Sequence, residues 1–197
     1  LFVGGLVVGV GAALFAALTS RIERRVILTA ALLLYAAGHL TAALVSGFEL
    51  QLFIRAATVV GAAIFTPQAA STVGLLVTPE KRAGAIAFIF IGWSVASVVG
   101  IPLGTLLSDM LGWRMVYGAM AGLSTVAAIC VWATLKPKLF VTPLSLVAWK
   151  ETFSSPLLWL VFVVTLLSMS GYFAMFTYIA PMLRDGFAAT PAMISIM

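Results

Sequence analysis

The sequence has 197 residues, of which 63% are hydrophobic and 9% charged, with a net charge of +5 and a mean hydropathy of +1.19. So few polar groups exclude a water-soluble globular domain. The basic residues that give the net charge are scattered over short loops, which excludes a nucleic-acid-binding patch; no nucleic-acid partner is expected.

A hydrocarbon core about 30 Å thick needs about 20 apolar residues in a helix that rises about 1.5 Å per residue. Six segments reach that length: residues 1–19, 26–46, 51–77, 84–108, 115–135 and 156–180. They are too long and too uniformly apolar for the strands of a membrane barrel, so the expected fold class is an all-α membrane protein. Leu1 lies inside an apolar run and Met197 falls early in what reads as a seventh span, so an internal fragment is expected. The first span lacks a basic region before it and does not read as a cleaved signal.

In chain order, the first span carries a small-residue stripe, Gly5, Gly9 and Ala13, and ends in the loop L-T-S-R-I-E-R-R-V-I-L, residues 18–28. Within that loop Ser20, Arg21, Glu23, Arg24 and Arg25 are candidate members of a gate. The second span holds His39 in its outer half, which reads as hydrogen-bonded to a neighbouring helix, with proton sensing as the rival reading. In the third span Arg55 is the one basic residue outside a loop or span end. An arginine in hydrocarbon costs at least about 2.5 kcal/mol, so it faces a cavity or a partner, or snorkels to the nearby boundary. Thr66, Gln68, Ser71 and Thr72 put polar groups around Pro67; Gln68 is a candidate for a substrate cavity, while helix-to-helix hydrogen bonding is the alternative.

In the fourth span Gly92, Ala96, Gly100, Gly104 and Ser108 recur at every fourth residue, a nearly straight stripe that lets another helix approach closely. Pro102 removes one backbone donor on that face and predicts a kink. The fifth span contains the lone Cys130, which forms no internal disulfide. Along the sixth, Thr165, Ser168 and Tyr172 follow helical spacing, with Phe176 continuing the face, and suit a polar or amphipathic solute. A metal site has no support, and no cofactor is expected.

Alternate loops hold eight basic residues (Arg21, Arg24, Arg25, Lys81, Arg82, Lys136, Lys138, Lys150) against two, Arg114 and Arg184. The richer set is expected on the cytoplasmic side. The acids Glu23, Glu80 and Glu151 fall on that side and Glu49, Asp109 and Asp185 on the other, so no acid lies in the middle of a span.

The loop at residues 18–28 resembles the basic signature G-x-L-a-D-R-x-G-R-R of the major facilitator superfamily, through Leu18, Arg21, Arg24 and Arg25. It departs at Ala16, Ser20 and Glu23, so the charged lock formed by the family's aspartate is replaced by a neutral hydroxyl, with Glu23 a partial substitute through a neighbouring arginine. Arg55 to Gly61 looks like the family's R-x-x-x-x-x-G pattern. G-W-S-V-A-S-V-V-G-I-P-L-G, Gly92 to Gly104, followed by G-W-R at Gly112 to Arg114, looks like its antiporter signature, associated with the drug:proton antiporter branch. S-R-x-E-R-R and Y-I-A-P at Tyr178 to Pro181 lean toward sugar-efflux and arabinose-efflux members.

The resemblance implies a major facilitator fold covering family spans two to seven and the start of eight. Residues 1–135 would be most of the N-terminal half, 136–155 a cytoplasmic linker and 156–197 the start of the C-terminal half. It implies a secondary transporter in a bacterial inner membrane that exports a sugar-like compound or drug in exchange for protons by alternating access. Arg55 would serve proton coupling or anion pairing, and Gly92, Ala96, Gly100, Pro102 and Gly104 antiporter-type packing. The alternatives are a facilitator or uptake symporter of the same fold, or a non-transporting structural subunit. An enzyme is not expected, because no clustered nucleophile and base appears within the spans. Expected partners are a small-molecule substrate, protons and the lipid bilayer, with oligomeric state open.

Overall fold

The structure is a computed structural model that describes residues 15, 18, 19, 21–140, 150 and 153–187. The rest of the first span with its Gly5, Gly9 and Ala13, together with Ser20, much of the segment expected as a linker, the Phe176 side chain and the start of a further span, lies outside the described residues. Among the described residues five helices are long and apolar enough to cross a membrane: Arg24–Leu44, Phe48–Leu76, Pro79–Leu111, Trp113–Thr134 and Pro156–Met175. Each matches one of the apolar runs, as an unbroken internal ladder of hydrogen bonds requires in lipid.

We label the helices α1 (Arg24–Leu44), α2 (Phe48–Leu76), α3 (Arg82–Val95), α4 (Ile101–Leu111), α5 (Trp113–Thr134) and α6 (Pro156–Phe187), with a 3₁₀ turn at Pro79–Lys81. The chain divides into two compact units, Leu1–Pro143 and Leu144–Met197. Helices α1 to α5 belong to the first and α6 to the second.

Within the first unit α1 is central and packs against both α2 and α5. Its buried side is Ile27, Leu28, Ala31, Leu32, Ala36 and Ala42, met by Ala63 of α2 and by Ala121 and Ala128 of α5. Small residues dominate because helices in lipid gain nothing from hiding apolar surface and adhere by close van der Waals approach instead. Two glycines mark the tightest points. A Cβ added at Gly38 would collide with Thr58 Oγ1, and one at Gly61 would lie 2.8 Å from the Ala31 carbonyl oxygen and 3.1 Å from Tyr35 Cβ. Side chains also tie the α1–α2 hairpin, where Gln51 Nε2 donates to the carbonyls of Ala42 (2.7 Å) and Val45 (3.1 Å).

Between α3 and α4 the helix contains a π turn, Ala96–Gly100, immediately before Pro102. This corrects the straight stripe expected from spacing alone. A π turn adds a residue to the ladder and rotates the helix beyond it, so Gly92 and Ala96 do not continue the line of Gly104 and Ser108. The turn from α4 into α5 takes one residue, Gly112, at φ 85° and ψ 157°, a backbone region open only to glycine.

Candidate functional site

A cleft of about 360 Å³ lies between α1, α2 and α5. Ala31, Leu32 and Tyr35 line it from α1, Gly61, Ala62, Phe65 and Thr66 from α2, and Met120, Leu123, Ser124 and Ala127 from α5. The walls are apolar with a few polar groups, the composition of small-solute sites. Ser124 Oγ donates to the Met120 carbonyl of its own helix at 2.7 Å, which leaves the hydroxyl of this cleft-lining residue as an acceptor. Gln68 is not among the lining residues. It is 3% exposed, and its amide donates to Thr19 Oγ1 at 2.8 Å while its main-chain carbonyl accepts from the fully buried Thr72 at 2.6 Å. Thr66, two positions earlier, supplies the polar group of α2 to the cleft.

Beyond Tyr35, one turn along α1, is His39. Its ring meets Tyr35 edge-on, with centroids 4.4 Å apart at 85°, and Tyr117 of α5 at 5.6 Å and 37°. Both His39 ring nitrogens are buried and have no hydrogen-bond partner, in contrast to the expected bond to a neighbouring helix. Its aromatic neighbours Tyr35 and Tyr117 meet the ring through their π systems and make no hydrogen bond to either nitrogen. Arg55 on α2 reaches the same cluster, its Nη1 lying 3.4 Å from Tyr117 Oη. At this end Arg114 Nη2 also donates to Ser46 Oγ at 2.8 Å, and its guanidinium stacks 4.4 Å from the Trp113 ring centroid. Arg55 therefore turns to a partner on another helix. Tyr117 could not be paired with it from sequence, because the relative register of α2 and α5 is set by packing between residues far apart in the chain.

The opposite end of the unit gathers the basic loop. Arg24 is 2% exposed; its backbone N–H donates to the Leu139 carbonyl at 2.9 Å, while its Nε and Nη1 are buried with no partner. Arg25 Nε donates to the Trp132 carbonyl at 2.8 Å, and its guanidinium lies 4.0 Å over the Trp132 ring. Glu23 Oε1 accepts from the Lys138 backbone N–H at 2.9 Å; its carboxylate thus holds a main-chain donor where pairing with an arginine was expected. Lys138 adopts φ 63°, which turns the chain back toward α1. Three consecutive residues thereby clasp the end of α5 and the chain after it. Arg21 is exposed nearby in sequence, and Ser20 is outside the described residues.

On the stripe of the fourth span, added Cβ atoms at Gly92 and Gly100 meet nothing within 4 Å, and at Gly104 only Val116 Cγ1 at 3.9 Å. Pro102 lies directly beyond the π turn. In the second unit Thr165, Ser168 and Tyr172 share a face of α6; Thr165 Oγ1 donates to the Val161 carbonyl at 2.8 Å, and the Tyr172 ring meets Phe173 edge-on at 5.6 Å. Among the described residues there is no group of three His, Cys, Asp or Glu side chains able to hold a metal ion.

The sequence profile of the Major Facilitator Superfamily matches residues 1–197. A probable sugar efflux transporter of Helicobacter pylori (strain G27) is 28% identical over 191 residues, 97% of this chain and 49% of that protein. An uncharacterized MFS-type transporter, YtbD, of Bacillus subtilis (strain 168) is 31% identical over 182 residues, 91% of this chain and 46% of the relative. A probable sugar efflux transporter of Pasteurella multocida (strain Pm70) is 30% identical over 172 residues, covering 87% and 42% respectively. The chain spans about half the length of the curated relatives it matches. Among solved structures, a crystal structure of the peptide transporter POT (E310Q mutant) in complex with alafosfalin superposes over 92% of this chain and 41% of that one, with a TM-score of 0.60 at 17% identity, a likeness of fold.

Proposed function

The chain belongs to the major facilitator superfamily, and from that premise we propose that it is part of a bacterial inner-membrane exporter that moves a small sugar-like solute or drug outward in exchange for protons by alternating access. It is an integral membrane protein whose relatives include bacterial proteins named as probable sugar efflux transporters. The observation that carries the reading is the pairing of a membrane-embedded Arg55 with Tyr117 beside a three-helix cleft. A fixed cation held in an apolar helix has an energetic reason to attract anions.

In this reading residues 1–135 are most of one half of the transporter, 136–155 the cytoplasmic linker and 156–197 the start of the other half. Thr165, Ser168 and Tyr172 contribute to the solute face, and within the first unit Gln68 holds α2 to the preceding segment through Thr19. The Glu23–Arg25 clasp is a cytoplasmic latch, with Ser20 and Arg21 preceding it in the sequence. Gly92, Ala96, Gly100, Pro102 and Gly104 serve antiporter-type packing, on two faces that the π turn offsets, as the resemblance to the drug:proton antiporter branch suggests.

The test uses the full-length parent protein in inverted vesicles with an imposed pH gradient, whose collapse is monitored as sugars and small drugs are added. Solute-dependent collapse that Arg55→Ala abolishes is the expected result. A second reading, a facilitator or uptake symporter, is favoured by one observation: every acid in the sequence sits at a span end. Solute flux without any collapse of the gradient would select it.

A further inference from the structure

The basic loop is held at both of its ends. After it, Glu23, Arg24 and Arg25 clasp the end of α5 and the chain beyond. Before it stands Thr19, where helical bonding gives way to a turn: its backbone N–H donates to the Phe15 carbonyl at 2.9 Å, and its own carbonyl accepts from the Ile22 N–H at 3.0 Å. Residues 20–22 are all that separates the two attachments. We propose that Gln68 is a positioning residue of this latch: through Thr19 it fixes the point on which the loop pivots, so that the clasp re-forms in register after each release. The latch's part in a transport cycle rests on the function proposed above; the pin itself does not.

Gln68 and Thr19 are 3% and 8% exposed, and Gln68 Nε2 donates to Thr19 Oγ1 at 2.8 Å. The Thr19 hydroxyl in turn donates to the Phe15 carbonyl, so its hydrogen is engaged and the bond runs in one direction, from α2 to the loop. Thr72 does not compete for that acceptor, because its own hydroxyl donates to the Gln68 main-chain carbonyl. A carboxamide buried in an apolar helix is costly unless it is bonded, and an apolar side chain would pack there without that cost. Its bond reaches the residue from which the loop departs. Pro67, directly before Gln68 inside α2, gives no N–H to the ladder and leaves the Ala63 carbonyl without its usual donor. The joint in α2 thus lies between Thr66, which lines the cleft, and Gln68, which holds the loop. A bend at the proline moves the end of α2 nearer the basic loop, and Thr19 with it, as one piece.

The test reads amide hydrogen exchange by mass spectrometry in the full-length protein in nanodiscs, over residues 21–25, with residues 81–84 of the next basic loop as reference. Thr19→Val keeps the shape and removes the acceptor, Thr19→Ser keeps the hydroxyl and removes a methyl group, and Gln68→Leu removes the donor. Thr19→Val and Gln68→Leu should each speed exchange at residues 21–25 by about threefold to tenfold, the range set by one net hydrogen bond. The double variant should exchange no faster than either single one, and Thr19→Ser should match the unsubstituted protein. Faster exchange in Thr19→Ser with none in Thr19→Val would assign the contact to packing and overturn the pin, as would single effects that multiply in the double variant or a loop that responds to neither. If Gln68→Leu fails to fold, the Thr19 pair alone decides between bond and shape. Solute-dependent collapse of the pH gradient in inverted vesicles is measured on the same variants. Slower collapse in those whose loop exchanges faster is expected; unchanged collapse keeps the bond and overturns its part in the latch. A protein that collapses no gradient in any form loses the transport reading, and the exchange pattern still decides the pin.

Discussion

Gly38 and Gly61 allow the same close approach of α1 and α2 against different obstacles. A methyl group at Gly38 meets the Thr58 side chain, whereas one at Gly61 meets the Ala31 main-chain carbonyl. Each alanine substitution is expected to lower stability by about 1–3 kcal/mol, the usual cost of overpacking. The second-site responses differ. Gly38→Ala combined with Thr58→Gly should recover most of the loss, less about 1 kcal/mol for a glycine inside a helix, while no side-chain change opposite should rescue Gly61→Ala. Thermal unfolding of the purified full-length variants checks this; rescue of neither would mean that the close contact at Gly38 does not limit packing. Sequence made Gly61 visible through its spacing from Arg55, and Arg55 itself as a charge in an apolar run. Gly38 stayed invisible, because a glycine's close approach is a property of the helix facing it. The same holds for His39, whose lack of a partner depends on which rings happen to surround it.

At the scale of elements, the spans were legible because bilayer thickness sets their length, and the π turn was not, because an inserted residue leaves no mark on an every-fourth pattern. Pro102 supplies its cause: it cannot donate to the ladder, and the distortion lies directly before it. Pro102→Ala should let a regular helix run through residues 96–100 and raise amide protection there by an order of magnitude or more, given a cost of about 3 kcal/mol for an interior proline. Hydrogen exchange with mass spectrometry would read it, and unchanged protection would place the cause elsewhere. The clasp at the other end yields a second expectation. Glu23→Ala removes a charge-assisted hydrogen bond to Lys138, and Trp132→Ala removes a cation–π contact with Arg25; such contacts are worth about 1.5–3 and 0.5–1 kcal/mol. Each variant should speed tryptic cleavage after Lys136 and Lys138, Glu23→Ala by about tenfold or more, while cleavage after Arg82 serves as the internal reference.

For the whole first unit, the contacts make its two ends chemically unlike. One end carries Arg24, Arg25 and Lys138 joined through Trp132, Leu139 and Glu23. The other carries Arg114 bound to Ser46, with Arg55 one turn inward at Tyr117. The helices alternate in direction between these ends, so the loop charges counted along the sequence add up on one face of the unit and act as a single topological signal. The clasp end is therefore expected in the cytoplasm, where anionic lipid attracts it. With Cys130→Ser as background, a cysteine placed at Lys138 in the full-length protein should react with an impermeant maleimide in inverted vesicles and stay protected in intact cells. A cysteine at Asp109 should show the reverse. Labelling of both from one side would break the two-ended arrangement itself, since Lys138 and Asp109 are separated by α5, a single 22-residue helix long enough to span the bilayer. Labelling of each from the side opposite to that expected would instead keep the fold and reverse its orientation. In that case the buried Arg24 would face the exterior, and the latch would act as an outer gate.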